Sequence, residues 1–324
     1  MKEPTYEQAI AKAWQVVWHN KVLWVLGLLA AFLGQFGLGD FFGRVWLLYN
    51  KGTVIGLSSH FWQGQGFSCM SGLNWHNILG LVWLVGILII ILIAVVFLTV
   101  ASQGALIAYT SEWFKNDSFT DFSKAWRQSL THFWQVLGAI AIYKAVFASL
   151  LLLSLLLLNI SDKAGGHIIV WVLGICLGII LFFYLIFSIL YIYTLGYIVV
   201  DNNKFVQAWQ KSWQLFSKHV LVSLEVGVVL MVVNLLLFVL IVSSMLLAFL
   251  PALIIWLVSN LLGLSGLAAF GFMSGLFLWI LIVVLISSVY NAFNTGVWMY
   301  LFIKMHKQGI ASRVLHWFAK LVKK

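Results

Sequence analysis

Residues 77–114 read NILGLVWLVGILIIILIAVVFLTVASQGALIAYTSEWF, and Glu112 is the single acidic or basic residue among them. About 20 apolar residues are enough for a helix to cross the hydrocarbon core of a bilayer, and this run is longer. Transmembrane β-strands would alternate apolar and polar side chains over short segments, and no such alternation occurs here. The run therefore predicts a membrane-spanning α-helix.

Similar apolar runs recur along the chain, which is 63% hydrophobic and only 9% charged. A soluble domain has about a quarter charged residues, so this composition excludes a water-soluble fold. The sequence predicts an all-α polytopic membrane protein with about six transmembrane helices. The predicted spans are residues 22–38, 77–114, 133–158, 168–200, 220–250 and 267–303. The stretch 251–266 is too short for a separate crossing and is predicted to be interfacial or re-entrant.

Lysine and arginine are distributed unevenly among the segments that separate the predicted spans. Fifteen of them lie in the segments 1–21, 115–132, 201–219 and 304–324, and only three lie in the alternate loops. Because basic segments stay in the cytoplasm, both termini are predicted to be cytoplasmic, with the chain in the plasma membrane. No cleavage site is seen near the N-terminus, so the first span is expected to remain as an anchor.

Three of the basic segments share one helical pattern. Residues at positions i, i+3, i+4, i+7 and i+8 lie on one face of an α-helix, and each segment places apolar or small residues there, with tryptophan at i+4. The three sets are Ile10, Ala13, Trp14, Val17 and Trp18; Phe122, Ala125, Trp126, Ser129 and Leu130; and Phe205, Ala208, Trp209, Ser212 and Trp213. Polar and basic residues occupy the opposite faces. Each segment is therefore predicted to be a short amphipathic helix at the membrane interface, anchored by its tryptophans.

A second landmark recurs in the second, fourth and sixth predicted spans. The tripeptides at residues 102–104, 194–196 and 294–296 read SQG, TLG and NTG, and each lies near the basic end of its span. Two landmarks in the same order predict three repeats within a single membrane domain, 1–324. The repeats cover about residues 5–114, 119–200 and 203–303. Chance similarity among tryptophan-rich membrane sequences is the alternative.

Residues 304–324 form a predicted basic amphipathic tail. The residues on its apolar face are Ile310, Val314, Trp317, Phe318, Leu321 and Val322. An apolar stripe that includes tryptophan, opposed by basic residues beside a span, is typical of a helix on an anionic leaflet, with Trp317 as an anchor. The alternative is a helix docked on the protein itself or on a partner.

The pattern Ala-Trp-x-x-Ser, followed by tryptophan or leucine and then by a span, begins at Ala125 and at Ala208. It resembles a group of bacterial polytopic membrane proteins that includes the membrane domain attached to some glycerophosphodiester phosphodiesterases. The soluble catalytic barrel of those enzymes needs about 250 residues, for which this chain has no room. The resemblance therefore implies a bacterial origin and a helical fold, and it implies no catalytic residue.

Two ionisable residues, Lys144 and Glu225, fall within predicted spans. Such side chains are costly in hydrocarbon and usually face the interior of a helix bundle. Lys144 lies 18 residues after Trp126, and Glu225 lies 16 residues after Trp209. Their depths in the membrane therefore differ by only about 3 Å. They are predicted to form a structural ion pair or a snorkelling pair, with a transport or proton-handling role as the alternative.

Three uncharged polar residues, Gln103, Asn291 and Asn294, lie in the second and sixth predicted spans. Together with Glu225 they are candidates to line a polar cavity in the cytoplasmic half of the bundle. The alternative is ordinary hydrogen bonding between helices. Four further residues, Asp40, His60, Cys69 and His76, are metal-ligand types in the first outer loop. Their spacing matches no compact motif, so no metal site is predicted.

The sequence contains no Walker A, Gly-x-Ser-x-Gly or His-Glu-x-x-His motif, so neither an enzyme activity nor a cofactor is expected. The basic residues flank apolar spans rather than forming one patch. Anionic membrane lipids are therefore the expected partners instead of nucleic acid, and a protein partner or a second copy of the chain is a further candidate. The sequence favours a non-enzymatic accessory or membrane-organising component. The alternative is a small-solute or lipid transporter.

Overall fold

The computed structural model describes residues 5–31, 75–116, 121–164, 167–262 and 265–308. Within these residues the regular structure consists of nine α-helices. They are α1 (Thr5–His19), α2 (Val22–Ala31), α3 (Trp75–Asn116), α4 (Phe122–Thr131), α5 (Phe133–Ala164), α6 (His167–Val199), α7 (Phe205–Lys218), α8 (Val220–Leu262) and α9 (Ser265–Gln308). The prediction of an all-α polytopic membrane protein is confirmed.

Five of the described helices are long and apolar enough to cross a bilayer. The candidate spans are Val82–Asn116, Phe133–Ser154, Gly174–Val199, Val220–Ser259 and Ala269–His306. They coincide with five of the predicted spans. The first predicted span, 22–38, is described only over the ten apolar residues of α2, and the rest of it lies outside the described residues.

One predicted boundary is wrong. The helix α8 does not end at residue 250 but continues through Pro251 to Leu262, so most of the stretch predicted to be a separate interfacial or re-entrant segment is the end of a long helix. Proline removes one helical hydrogen bond, but membrane helices tolerate this where neighbouring groups satisfy the freed carbonyl. The helix α5 continues to Ala164, and the candidate span within it is Phe133–Ser154.

The short helices α1, α4 and α7 lie at the three segments that carry the tryptophan pattern. A single residue, His132, separates α4 from α5, and His219 alone separates α7 from α8. The backbone N–H of His132 donates to the carbonyl of Ser129 at 3.2 Å, and that of His219 donates to the carbonyl of Leu215 at 3.1 Å. Both α4 and α7 therefore lead into a span through a tight, hydrogen-bonded turn.

The helices pack in a cyclic order. The short helix α4 lies on α3, α7 lies on α6, and α1 lies on α9, the last described helix, which closes the ring. The long helices α3, α6 and α9 contact one another. Around them, α2 lies against α3 and α9, α5 against α3 and α6, and α8 against α6 and α9. Three structural repeats would produce this order, although the repeats themselves stay a prediction.

The three short helices all lie at one end of the bundle, because each contacts the C-terminal part of a long helix. On α3, the Ser129 hydroxyl of α4 donates to the carbonyl of Ala101 at 2.6 Å. On α6, Thr194 contacts Ser212 of α7. On α9, Gly296 lies against Ala13 of α1. We call this end, formed by α1, α4, α7 and the C-terminal ends of α3, α6 and α9, the basic end.

The core lies at the basic end. Every residue in the stretches 99–111 of α3, 188–199 of α6 and 290–303 of α9 is buried. A helix that is buried on all sides sits at the centre of a bundle. In contrast, the apolar side chains of α3 from Val82 to Ile93 are largely exposed, as expected for a surface that faces lipid.

Glycine allows the closest approach between α8 and α9. A Cβ added at Gly271 would lie 3.3 Å from the carbonyl oxygen of Ala252, and one added at Gly275 would lie 3.4 Å from that of Ala248. The two glycines are four residues apart, and so are the two alanines that face them. This is the small-xxx-small arrangement by which membrane helices pack when no hydrophobic effect drives them together.

Candidate functional site

Lys144 lies in α5 beside a cluster of tyrosines and is partly buried. Its Nζ atom is 5.7 Å from the centre of the Tyr143 ring. The Tyr143 hydroxyl is hydrogen-bonded to the hydroxyl of Tyr184 on α6 at 3.1 Å, and its ring stacks on that of Tyr191 at 4.4 Å. Lys144 therefore sits next to the main contact between α5 and α6.

Glu225 lies in the second turn of α8 and is also partly buried. Its neighbours Ser223 and Gly227 face α6: the Ser223 hydroxyl is 2.9 Å from that of Tyr193, and Gly227 lies against Ile189. At about 100° per residue, Glu225 lies roughly 160° around the helix from both of them. Glu225 is therefore close to α6 in depth but does not share the face of α8 that packs on it.

The ion pair between Lys144 and Glu225 stays a prediction, and a double-mutant cycle tests it. Lys144→Met and Glu225→Gln should each lower the thermal midpoint in detergent, because each leaves the other charge without its partner. The double variant should be no less stable than the worse single variant, with a coupling free energy of about 0.5–3 kcal/mol. Strictly additive losses would show that the two side chains do not interact.

Asn291 joins α9 to α2. Its Nδ2 atom donates to the backbone carbonyl of Gly27 at 3.2 Å, and one turn earlier the Ser288 hydroxyl donates to the carbonyl of Trp24. Both side chains thus satisfy carbonyls of a membrane helix. For Asn291 this contact corresponds to the alternative of ordinary hydrogen bonding between helices.

Gln103 and Asn294 are buried at the basic end of the core, each with 1% of its surface exposed. Among the described residues, neither polar atom of the Gln103 amide has a hydrogen-bond partner, and the same is true of the Asn294 Oδ1 atom and the hydroxyl of Ser102. Buried polar atoms of this kind are rare in folded proteins and often mark a bound water, an ion or a functional role. These core atoms are therefore candidates to bind a small ligand.

A cavity with a volume of about 450 Å³ lies between α5, α6, α8 and α9. Four of its fifteen lining residues are polar. These four are Ser154, Tyr184, Ser188 and Asn234. None of the five candidate polar residues, Gln103, Lys144, Glu225, Asn291 and Asn294, lines it. The pattern of charged and amide residues in the sequence therefore did not locate this cavity, because most of its wall is leucine, isoleucine and aromatic side chains.

The tryptophans predicted as interfacial anchors differ in exposure. Trp14 and Trp18 of α1 are each 50% exposed and Trp213 of α7 is 52% exposed, whereas Trp126 and Trp209 are partly covered by protein. The sixth predicted anchor, Trp317, and the rest of the tail from residue 309 lie outside the described residues.

The junction between α7 and α8 carries a histidine with a perturbed pKa. Burial lowers the pKa of the His219 imidazole, and the positive charge of Lys218 lowers it further. Protonation of His219 therefore opposes the folded arrangement, and its neutral form is favoured at this turn.

Among the described residues no three histidine, cysteine, aspartate or glutamate side chains lie close enough together to hold a metal ion. Of the loop residues considered as ligands, Asp40, His60 and Cys69 lie outside the described residues, and only the backbone of His76 is described. Comparison with protein-family models, with curated proteins and with solved structures found no match to this chain. The resemblance to the phosphodiesterase-linked membrane domain therefore stays an expectation.

Proposed function

We propose that this chain is a non-enzymatic integral membrane protein, an accessory or organising component that binds anionic lipid head groups at its basic end. In this proposal the basic end lies in the cytoplasmic leaflet of the plasma membrane. The observation that carries the proposal is the surface of the three short helices, which presents tryptophan and basic side chains around a packed core.

Each short helix buries small residues against the bundle, and tryptophans of α1 and α7 stay exposed. In α1, Ala13 and Val17 are fully buried, whereas Trp14 and Trp18 on the same stripe are half exposed. The small buried residues of α4 are Ala125 and Ser129, and α7 buries Ala208 and Ser212 together with Leu215 and Phe216. A tryptophan left uncovered beside a membrane span is suited to head-group depth.

The charge at the basic end favours anionic lipid. The exposed basic residues there are Lys12, Lys21, Lys115, Lys124, Arg127, Lys204, Lys211 and Lys218. The acidic residues described at that end are Glu7, Glu112, Asp121 and Asp201. Of these charges, Lys124 and Glu112 pair at 3.6 Å. The remaining excess of positive charge attracts an anionic surface, and each lysine or arginine close to it contributes about 1 kcal/mol.

The test removes one exposed charge from each short helix. The test variant combines Lys12→Gln, Arg127→Gln and Lys211→Gln. The matched control combines Gln15→Ala, Ser123→Ala and Gln207→Ala, which alter exposed uncharged positions on the same helices. At about 1 kcal/mol per charge, the test variant should bind anionic lipid up to about a hundredfold more weakly than wild type at low salt. The control should bind as wild type does.

Lipid binding is measured on the purified full chain in detergent, by titration with short-chain phosphatidylglycerol and with phosphatidylcholine. Wild type should prefer the anionic lipid, and raising the salt concentration should weaken that preference because the Debye length shortens. A preference that survives both the charge removal and high salt would refute the proposal.

A small-solute or lipid transporter is the second candidate, favoured by the unpartnered polar atoms of Gln103 and Asn294 in the core. A transporter needs a polar path through the membrane, which such side chains would line. Proteoliposomes that contain the chain should then release a trapped small solute or move labelled lipid faster than empty vesicles. Replacing Gln103 with leucine should abolish this flux if transport is the function.

A further inference from the structure

We infer that the cavity between α5, α6, α8 and α9 binds one lipid-soluble molecule with a long apolar chain and a hydroxyl or carbonyl oxygen. This site lies within the spans, apart from the basic end. Its test is therefore independent of the head-group binding proposed above.

The size and wall of the cavity fit an apolar chain. Its volume of about 450 Å³ falls within the range of ligand sites in proteins, which is about 300–1,000 Å³. Leu151 of α5, Leu230 of α8 and Ile180 of α6 line it from three sides. Most of the wall that a bound apolar molecule would contact is therefore apolar.

The cavity is closed toward the basic end. Ile189 and Trp298, which are 1% and 3% exposed, belong to the packed core and form its floor. Gly227 of α8 approaches the same floor, because a Cβ there would lie 3.2 Å from Ile189. Met231, at the rim, is 41% exposed. A ligand therefore enters from the lipid side rather than from water at the basic end.

One polar side chain in the wall has no hydrogen-bond partner among the described residues. The hydroxyl of Ser154 donates to the carbonyl of Leu151 at 2.7 Å, and Tyr184 is hydrogen-bonded to Tyr143. Asn234, in contrast, makes no hydrogen bond to any other described residue. A carboxamide without a partner in a hydrocarbon environment is unfavourable, because no water is present to replace the missing bonds. An oxygen on the bound molecule would satisfy it.

The depth of Asn234 selects the class of ligand. It lies 14 residues beyond Val220, the first residue of α8, or about 21 Å along the helix axis. With Val220 as the start of the candidate span, Asn234 lies inside the hydrocarbon core, which is about 30 Å thick. A phospholipid carries its ester oxygens and its head group at the membrane surface and would leave Asn234 without a partner. A long-chain alcohol or ketone has a single small polar group, so the whole molecule can enter the cavity and bring its oxygen to this depth.

Photo-crosslinking in nanodiscs of neutral phosphatidylcholine tests the inference on the full chain. The probe is a sixteen-carbon alcohol with a diazirine in its chain (about the length of an ordinary membrane lipid chain), and the comparison probe is its hydrocarbon twin without the hydroxyl. Labelled peptides are mapped by mass spectrometry. The alcohol should label the cavity walls of α5, α6 and α8 about fivefold more than the twin does, as expected for one hydrogen bond.

Four variants separate the chain-binding and oxygen-binding parts of the site. Asn234→Leu should reduce labelling by the alcohol to the level of the twin, whereas Asn234→Gln, which keeps a donor and an acceptor, should retain part of the difference. Leu151→Trp should fill the cavity and reduce labelling by both probes. The matched control Leu152→Trp, at a neighbouring position that is 58% exposed, should change neither.

Two results would overturn the inference. One is labelling spread evenly over the lipid-facing residues of the helices, which would show that the cavity is not a site. The other is equal labelling by the two probes that Asn234→Leu leaves unchanged, which would show that Asn234 recognises no oxygen. Each variant is first compared with wild type for its elution volume and thermal midpoint, so that a loss of labelling is not a loss of folding.

Discussion

Replacing Gly27 with leucine should separate α2 from α9 and strongly destabilise the chain. A Cβ at this position would overlap the backbone carbonyl oxygen of Ser288 and lie 3.2 Å from the Cβ of Ala292. A backbone oxygen cannot rotate away as a flexible side chain can, so the two helices must move apart. Overpacking of a core typically costs about 1–3 kcal/mol. Gly27→Ala should therefore lose about that amount, and Gly27→Leu should lose more.

The same displacement would remove the hydrogen bonds that cross this interface. The Ser288 hydroxyl donates to the carbonyl of Trp24, and the Asn291 amide donates to the carbonyl of Gly27. Such bonds between membrane helices contribute about 0.6 kcal/mol each on average. The loss of these hydrogen bonds adds to the steric effect, because the bonds and the packing both depend on the close approach of α2 and α9 that Gly27 allows.

The measurement is the thermal midpoint of the purified protein in a mild detergent, read by size-exclusion chromatography after heating. Gly86 of α3 provides the matched control, because a Cβ added there meets no atom within 4 Å. Gly86→Leu should leave the midpoint within a few degrees of wild type, since its environment in the membrane is lipid. A Gly27→Leu protein as stable as Gly86→Leu would show that α2 does not pack on α9 through this glycine.

Most of the helices could be predicted from the sequence because their signals are local. A run of about 20 apolar residues is sufficient to define a span, and five predicted spans coincide with described helices. The short helices were predicted from the recurrence of tryptophan and small residues on one helical face. The end of α8 was missed because the stretch 251–266 is too short for a separate crossing, whereas it mostly continues the preceding helix, which ends at Leu262.

The packing of the helices could not be predicted in the same way. In a membrane, the side chains that face lipid and those that face the core are equally apolar, so hydropathy does not distinguish them. The closure of the ring by α1 on α9 brings together residues nearly 300 positions apart, as the contact of Tyr300 with Gln8 shows. Small residues four apart were the usable signal, and Gly271 with Gly275 carries it in the sequence.

The residues that line the cavity were not predicted from the sequence. Lys144 and Glu225 stand out in the sequence because charges are rare in spans. Counting residues from the tryptophans gave their depth in the membrane. Depth, however, does not show on which side of its helix a residue lies. Glu225 is about 140° around α8 from Leu230, which lines the cavity. Asn234 was not singled out, since an isolated amide in a span is commonly a contact between helices. Its exposure to the cavity becomes visible only once four helices are in place.

The sidedness of the chain should give an all-or-none result in cysteine labelling. We expect cysteines at Asn116 and Asn203 to react with a membrane-impermeant maleimide only after the cells are permeabilised. Asn116 is the last residue of α3, next to the exposed Lys115, and Asn203 lies between α6 and α7, next to the exposed Lys204. Basic residues next to spans are retained in the cytoplasm, and fifteen of the nineteen in the chain lie in the segments predicted to face it.

The native cysteines must be controlled in this experiment. Each new cysteine is placed in a chain with Cys69→Ser and Cys176→Ser, the only native thiols. A chain that keeps Cys69 alone should label from outside and so reports that the reagent reaches intact cells. Labelling of the cysteines at both positions from outside would show that the orientation is the reverse of the predicted one. Labelling of the two from opposite sides would contradict the structure itself, because α4 and α7 place both helix ends at the basic end of the bundle.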